Sequence, residues 1–214
     1  QKKLKRADIG LIPEDWEEKS VGDFVDIKHG YGFKGEFFTE NPNENIVLTP
    51  GNFYIGGGFK SDKFKFTTET PLKEYVLNDG DIIVTMTDLS KEGDTLGYSA
   101  KVPASDCHKY LHNQRIGLLC LKTNAILPDF LYWVLRTKSY NQFVVGSATG
   151  STVKHTSPDR IKQFTFGVPS LKEQTFIANL LSSLDSKIQL NHQMNCSLEA
   201  VGAALFRRWF VDFE

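Results

Sequence analysis

Residues 169–213 read PSLKEQTFIANLLSSLDSKIQLNHQMNCSLEAVGAALFRRWFVDF. After Pro169 the stretch contains no proline and a single glycine, Gly202, so an α-helix can continue through it. Its start has the Ser-x-x-Glu spacing of a capping box, in which Ser170 accepts from the amide of the third helical residue and Glu173 accepts from the amide of Ser170. The stretch therefore predicts one long helix from Ser170 onward, about 60 Å in length.

This helix carries a stripe of apolar and small polar residues at alternating spacings of four and three, which is the heptad pattern of a coiled coil. The stripe comprises Ile177, Leu181, Leu184, Ile188, Asn191, Asn195, Leu198, Gly202, Leu205 and Trp209. A buried asparagine commonly fixes register and partner choice, so Asn191 and Asn195 favour pairing with a second helix. The alternative is a terminal helix that packs back on its own domain, but the helix is longer than a compact domain of this size needs.

Length and composition indicate one globular domain followed by this helix. The chain has 214 residues and a formal net charge of −1, and no apolar run in the sequence is long enough for a membrane span. Its cysteines, Cys107, Cys120 and Cys196, form no disulfide framework, which favours a cytoplasmic protein. The expected fold class is α+β, with a mixed, β-rich globular domain in residues 1–168 and a C-terminal helix in residues 169–214 that pairs as a coiled coil.

Short β-prone runs separated by turn residues make up much of the globular part. Strands are predicted at residues 46–49, 64–67, 82–87, 96–102, 115–122 and 161–168, and a helix is predicted to start at Pro128. The glycines at 56–58 lie in a turn between two of these strands. They do not form a phosphate-binding loop, because neither Gly-Lys-Ser/Thr nor a helix follows them.

The sequence shows no recognisable catalytic constellation. An amino-methyltransferase would need a glycine-rich AdoMet loop and an Asn/Asp-Pro-Pro-aromatic motif, and the segment Asn-Pro-Asn-Glu at 41–44 is only superficially similar. Turn chemistry explains Asp79 and Asp81 better than a nuclease site does. A zinc site is not expected either, because the possible ligands Cys107, His108, His112 and Cys120 include no Cys-x-x-Cys pair. We therefore expect no metal and no cofactor.

Basic residues are concentrated between Lys109 and Lys172, where nine Lys and Arg occur with two acidic residues. Such a segment suits a surface that faces phosphates, although lysines scattered over the surface would give the same count. Within it, Asn113, Gln114 and Arg115 carry groups that can pair bidentately with adenine or guanine in the major groove. Alternatively, these side chains bind nearby backbone at the end of a strand.

Two loops supply further candidate DNA contacts. Residues 29–35 alternate glycine with aromatic and basic residues, so Tyr31 and Lys34 would touch DNA, unless the loop is a tight turn that buries Phe33. Residues 146–155 are rich in hydroxyls and glycine amides that suit phosphate oxygens, unless they form a plain flexible connection. The candidate phosphate contacts in and after this loop are Lys154, His155, Arg160 and Lys162.

Several segments together resemble the specificity subunit of type I restriction-modification systems. The segment at 10–16, Gly-Leu-Ile-Pro-Glu-Asp-Trp, resembles the start of a target recognition domain in that family. The junction Val-Pro-Ser-Leu-Lys-Glu-Gln at 168–174 is the most specific of the similar segments. The others are residues 80–85, 113–115, 148–152, 177–178, 184–188, 191 and 204–213. The resemblance covers essentially the whole chain, and it depends on the order and spacing of these segments.

This resemblance implies a non-catalytic subunit that reads one half of a bipartite site in double-stranded DNA. It also implies that the long helix acts as a spacer and docks DNA adenine methyltransferase subunits and restriction subunits. Family members typically carry two recognition domains and two antiparallel helices, whereas this sequence shows one of each. A second helix from the same full-length subunit, or from a homodimer, would complete the seam. The alternative function is a coiled-coil adaptor that does not read DNA sequence.

Overall fold

The computed structural model describes residues 3–88, 90, 92–150 and 153–213. The strands are β1 (Leu4–Ala7), β2 (Gly10–Pro13), β3 (Glu17–Ser20), β4 (Val25–His29), β5 (Phe38–Thr39), β6 (Asn45–Leu48), β7 (Lys65–Thr67), β8 (Ile82–Thr85), β9 (Thr87–Asp88), β10 (Ser99–Lys101), β11 (Lys109–His112), β12 (Ile116–Leu121), β13 (Lys154–His155) and β14 (Thr165–Val168). The helices are α1 (Pro128–Val134), α2 (Lys138–Gly146), α3 (Pro158–Lys162) and α4 (Leu171–Phe210). The chain divides into a globular unit that ends at Gln174 and a second unit that begins at Thr175.

Two four-stranded sheets form the frame of the globular unit. The first is antiparallel with the order β10-β8-β12-β4. The second has the order β11-β6-β7-β5 and is mixed, because β11 runs parallel to β6. The chain passes from β11 in the second sheet to β12 in the first through residues 113–115. The predicted α+β class is confirmed, and this turn lies at the junction of the two sheets.

A shared apolar core holds the two sheets together. Ile46 and Leu48 of β6 pack in one cluster with Ile83 of the first sheet. Val47, whose side chain points to the other face of β6, packs with Phe33 in a second cluster. Both faces of β6 are therefore covered, which explains why its apolar run is continuous rather than alternating. Phe33 is buried, as the alternative interpretation of residues 29–35 expected, but residues 32–34 do not form a turn, and Tyr31 and Lys34 stay candidate DNA contacts.

The predicted strand at 161–168 is partly wrong. Residues Pro158–Lys162 form the short helix α3, and only Thr165–Val168 are a strand, which pairs with β3. The cause is local: Ser157 accepts from the amide of Arg160 as an N-cap, and Pro158 takes the first turn of the helix. The sequence Ser-Pro-Asp at 157–159 was therefore a helix start signal that the alternation of apolar residues obscured.

The predicted start of the long helix is confirmed. The Ser170 amide donates to Glu173 Oε2 at 3.3 Å, and the Glu173 amide donates to Ser170 Oγ at 3.4 Å. Gln174 in the next position is 1% exposed. Its Oε1 accepts from the Leu127 amide at 2.8 Å, and its Nε2 donates to the Ala125 carbonyl at 3.2 Å. This buried amide fixes the first turn of α4 to the segment that precedes α1.

Helix α4 continues without a break for 40 residues, as the sequence predicted. Most of its seam side chains are exposed in the single chain: Leu184 is 54% exposed, Ile188 56% and Leu198 65%, whereas Ile177 and Leu181 are half-buried. None of the helices in the described residues is both long and apolar enough to cross a bilayer. The exposed seam leaves apolar area that a second helix would cover.

Candidate nucleic-acid interface

Segments that are distant in sequence meet at one end of the antiparallel sheet. β12 begins at Ile116, opposite Thr85 at the end of β8, and Gly117 pairs with His29 at the end of β4. The loop after β4 and the turn before β12 therefore leave the sheet together. The Tyr31 amide donates to the His112 carbonyl at 2.8 Å, and the Gln114 amide donates to the Tyr31 carbonyl at 3.0 Å.

Two further backbone hydrogen bonds extend this surface to the end of the 146–155 loop. The Met86 amide donates to the Arg115 carbonyl at 2.9 Å, and the Thr156 amide donates to the Met86 carbonyl at 3.0 Å. In the adjoining ribbon, Lys154 pairs with Asp88 and His155 pairs with Thr87. The candidates at this end of the sheet are Tyr31, Lys34, Gln114, Arg115, Lys154 and His155. We call them the strand-end face.

Gly30 permits the closest approach of backbone to backbone in this face. A Cβ atom at this position would lie 2.3 Å from the Asn113 carbonyl oxygen and 2.4 Å from the His112 carbonyl oxygen. Any side chain here would push the 29–35 loop away from the turn. The glycines of this loop suggested a close approach from sequence alone, and the partner is the protein's own backbone.

The three residues of the 113–115 turn have different environments. Asn113 is buried, and its Oδ1 accepts from the Arg115 amide at 3.0 Å. Gln114 and Arg115 are exposed. Asn113 therefore shapes the turn, as the alternative interpretation of these residues allowed. The side chains of this turn that are exposed to solvent are those of Gln114 and Arg115.

Glu69, which the sequence did not single out, holds the candidates of the 29–35 loop. The Tyr31 hydroxyl donates to Glu69 Oε1 at 3.2 Å, and the Lys34 amide donates to Glu69 Oε2 at 3.3 Å. The hydrogen bond to this carboxylate raises the pKa of Tyr31, and its ring also contacts Tyr75 at a centroid distance of 5.4 Å. The side chain of Tyr31 is thus held in place by Glu69 and Tyr75, and the side chain of Lys34 is an exposed cation.

Three predicted phosphate contacts have partners inside the protein. His155 Nδ1 lies 3.2 Å from Thr87 Oγ1. Arg160 Nη1 donates to the Ser147 carbonyl. The Lys162 ammonium lies 3.0 Å from Asp159 Oδ1 and 3.7 Å from Asp26 Oδ1, and the hydrogen bond to Asp159 raises the pKa of Lys162. Asp26 belongs to the part of β4 remote from His29, so Lys162 lies away from the strand-end face. In the 146–155 loop, Ser151 and Thr152 lie outside the described residues.

The loop after β9 is organised by the buried carboxylate of Asp88. Its oxygens accept from the Ser90 amide at 2.7 Å and from Thr95 Oγ1 at 2.8 Å. Burial alone would raise the pKa of Asp88, but the hydrogen bonds from Ser90 and Thr95 outweigh burial and hold the pKa below its usual value. Asp88 therefore stays ionised, and its hydrogen bonds order the loop without removing the negative charge.

The buried side chain of His112, directly before the 113–115 turn, should make the stability of the fold depend on pH. Its ring is fully buried, its Nε2 lies 2.9 Å from the Ile116 carbonyl, and burial lowers its pKa to about 4. The unfolded chain binds a proton here below pH 6.5, whereas the folded chain does so only near pH 4. We therefore expect the free energy of unfolding to fall by about 3 kcal/mol between these values as pH is lowered.

Urea unfolding at a series of pH values tests this expectation. His112→Gln should flatten the pH dependence in this window, whereas His108→Gln, at an exposed position, should leave it as in the parent. Asp88 contributes stability that is lost as pH falls through 3.8 and below, and because the parent and both variants share this carboxylate it cancels in the comparison. An unchanged slope in His112→Gln would contradict the assignment.

The cysteines and histidines considered as zinc ligands are not assembled into a site. Cys107 and Cys120 are free and exposed, and His112 is directed into the core. Within the ranges that the structure describes, no group of three His, Cys, Asp or Glu side chains could hold a metal ion.

Comparison with known proteins defines the class to which this arrangement belongs. The sequence model of the family described as "Type I restriction modification DNA specificity domain" matches residues 13–200. The chain belongs to this family, and the resemblance drawn from its sequence segments is confirmed.

Individual relatives are similar over nearly the whole chain. The chain is 26% identical over 219 residues to the type I restriction enzyme MjaIX specificity subunit of Methanocaldococcus jannaschii. It is 28% identical over 211 residues to the HindI specificity subunit of Haemophilus influenzae. These matches cover 99% and 94% of this chain but 47% and 42% of the relatives. The chain thus spans less than half the length of the curated relatives that it matches.

Solved structures show the same fold. The S subunit of a type I restriction-modification system from M. genitalium superposes with a TM-score of 0.61 at 20% identity, over 92% of this chain and 47% of that one. A second structure, described as showing complex assembly and conformational transition of the type I R-M system, gives a TM-score of 0.59 at 13% identity. It covers 91% of this chain and 44% of that one.

Proposed function

We propose that this chain is a DNA target-recognition module of a type I restriction-modification specificity subunit. It reads one half of a bipartite site in double-stranded DNA and catalyses no reaction itself. One observation carries the proposal: backbone hydrogen bonds join groups suited to base edges and groups suited to phosphates into a single face, in a chain of the DNA specificity family. That combination is what sequence-specific DNA binding requires.

The environments of the side chains suggest a division of labour. Gln114 and Arg115 are exposed at the turn and suit adenine and guanine edges in the major groove. Lys34, Lys154 and His155 lie around them and suit phosphate oxygens. Asn113 and Arg160 make no direct contact with DNA on this proposal. Their hydrogen bonds to Arg115 and Ser147 hold the neighbouring loops in shape. This arrangement fixes the protein on the backbone while the turn faces the bases.

Lys154→Ala is expected to weaken binding to every duplex by a similar factor. Removing one phosphate contact should also reduce the slope of log K against log salt by about 1. Binding of the full chain to short duplexes, measured by fluorescence anisotropy over a range of salt concentrations, gives both quantities. Lys109→Ala is the matched control, because Lys109 forms an ion pair with Glu44 at 3.0 Å at the far end of β11.

Arg115→Ala provides the contrast to Lys154→Ala. It should relax the preference at one base pair and cost about 1–3 kcal/mol on the preferred sequence only. An unchanged salt slope in Lys154→Ala, or a uniform loss on all sequences in Arg115→Ala, would contradict these roles.

We further propose that α4 is the spacer between half-sites and the docking element for the other subunits. Its exposed seam supports pairing with a second helix, supplied by the same full-length subunit or by a second copy of the chain. DNA adenine methyltransferase subunits and restriction subunits are the other expected partners. The similar structure that is described as showing complex assembly of the type I R-M system agrees with this role. A cytoplasmic location follows from such partners.

Methylated adenines in the genome of the source cell provide the decisive test. Long-read sequencing with and without the gene should show the loss of one interrupted motif when the gene is deleted. A palindromic motif indicates a symmetric pair of identical modules, because protein symmetry is mirrored in the site. An asymmetric motif indicates a second recognition domain. An unchanged methylation pattern would overturn the proposal and favour an adaptor that pairs through α4 without reading DNA.

A further inference from the structure

A short hairpin at residues 53–59 presents two large apolar side chains to solvent. Phe53 and Phe59 form an antiparallel bridge at its base, and both pack in the core shared by the two sheets. At its tip Tyr54 is 50% exposed and Ile55 75% exposed. Single exposed apolar side chains are common on protein surfaces. Here two neighbouring ones lie at the tip of a hairpin whose base is packed in the core, which suggests a contact with a ligand.

The hairpin is held rigidly. The Gly57 amide donates to the Tyr54 carbonyl at 2.9 Å, which closes a turn with Gly56 at a φ of 84°. The Gly58 amide donates to the Ser99 carbonyl at 2.8 Å, at the start of β10. Arg136, which follows α1, donates from its Nε to the Gly56 carbonyl at 3.0 Å. A tip that is already ordered loses little entropy when it binds.

The hairpin stands beside the strand-end face. Ser99, its anchor, pairs with Val84 of β8, at the same end of the sheet as the 113–115 turn. A cleft of about 480 Å³ is lined by Tyr54, Ile55 and other residues near the hairpin together with Asp88, the strand partner of Lys154. The hairpin and the strand partner of Lys154 therefore border the same cleft.

Cations and carboxylates both lie near the tip, so its shape rather than its charge indicates the ligand. Residues 51–60 contain no acidic side chain. The Lys60 ammonium lies 5.8 Å from the centroid of the Tyr54 ring and 3.1 Å from Asp62 Oδ2. The Asp88 carboxylate in the cleft accepts hydrogen bonds from Ser90 and Thr95. A two-stranded ribbon fits the major groove of B-DNA, about 12 Å wide, but not the minor groove, about 6 Å wide.

We propose that the 53–59 hairpin enters the major groove and that Ile55, supported by Tyr54, contacts the C5-methyl group of a thymine. An apolar side chain can discriminate a base pair in this groove because only thymine offers a methyl group there. The inference rests on the proposed DNA-recognition function and adds a specificity-determining element outside the residues assigned above. It assigns the hairpin one task, the distinction of thymine from cytosine at one position of the half-site.

The test begins with selection of duplexes from a randomised pool by the full chain, followed by selection with Ile55→Ala. The parent should enrich a site with a thymine at one position where Ile55→Ala shows no preference between thymine and cytosine. Uracil is then placed at that position, which keeps the base pair and removes the methyl group. The parent should bind the uracil duplex about fivefold more weakly, and Ile55→Ala should bind both duplexes equally.

Leu121→Ala is the matched control, because Leu121 is 47% exposed at the opposite end of β12. It should keep the full thymine preference. Equal thymine preference in Ile55→Ala and the parent would overturn the inference and leave the DNA-recognition function standing. Failure of the parent to enrich any sequence would instead overturn the proposed function, and the inference with it. Loss of methyltransferase capture with unchanged DNA preference in Ile55→Ala would identify the tip as a protein contact and also overturn it.

Discussion

Aspartate in place of Leu184 or Ile188 is expected to abolish helix pairing through α4 and to leave the globular unit folded. Both side chains lie in the seam, where the single chain exposes them to solvent. Pairing would bury the new carboxylate without a partner, at a cost of about 3–5 kcal/mol. The affinity for a second helix should therefore fall by more than about 100-fold.

Light scattering reports self-association, and pull-down reports capture of the methyltransferase subunit. Ser186→Asp is the matched control, because Ser186 is exposed, lies between the two seam positions and is not part of the heptad series. Ser186→Asp should assemble like the parent. In all three variants the globular unit should melt at the same temperature as in the parent. Parent-like assembly of Leu184→Asp and Ile188→Asp would show that pairing uses another face of the helix.

Gly30→Ala is expected to destabilise the globular unit by about 3–5 kcal/mol. The added methyl group would lie 2.3 Å from the Asn113 carbonyl oxygen and 2.4 Å from the His112 carbonyl oxygen. Both neighbours are backbone atoms, so relief requires displacement of the loop from the turn rather than a change of rotamer. The bonds between Tyr31, His112 and Gln114 would break, and DNA binding should be lost even where the variant remains folded.

Gly32→Ala serves as the control for this prediction. The same methyl group at residue 32 would meet only the end of the Gln114 side chain, at 3.9 Å. We expect it to change the free energy of unfolding by less than about 1 kcal/mol. Urea unfolding of both variants measures the difference. Similar stability of the two variants would show that the loop and the turn are not in close backbone contact.

The features that the sequence predicted well depend on local chemistry. The capping box at Ser170 and Glu173 and the heptad series define α4 because they act within one helix. Six strands were predicted where apolar runs end in turn residues, and the structure has a strand that overlaps each of these ranges, although the one at 161–168 is shorter and others such as β1 and β11 were missed. Gln114 and Arg115 were selected because amide and guanidinium groups are the types that read bases; the structure shows that both are exposed, and their contact with DNA stays a prediction.

The features that it did not predict depend on pairing between distant segments. Lys162 was assigned to phosphates because its ion pair with Asp26 is not visible in the sequence. That pair forms only when α3 packs near β4. Asn113 was placed among the base-reading residues because nothing local shows that its side chain turns inward. The glycines at 56–58 were correctly taken as a turn, but their neighbours Tyr54 and Ile55 drew no attention without the anchors at Ser99 and Arg136.

The strand-end face is joined by main-chain hydrogen bonds, and this has an evolutionary consequence. The bonds between residues 31, 112, 114, 86 and 156 do not depend on side-chain identity. Exposed positions such as 114 and 115 can therefore mutate at little thermodynamic cost. On the proposed function, a lineage could change its DNA target through these positions while its fold is preserved, because selection on recognition and selection for stability act on different groups.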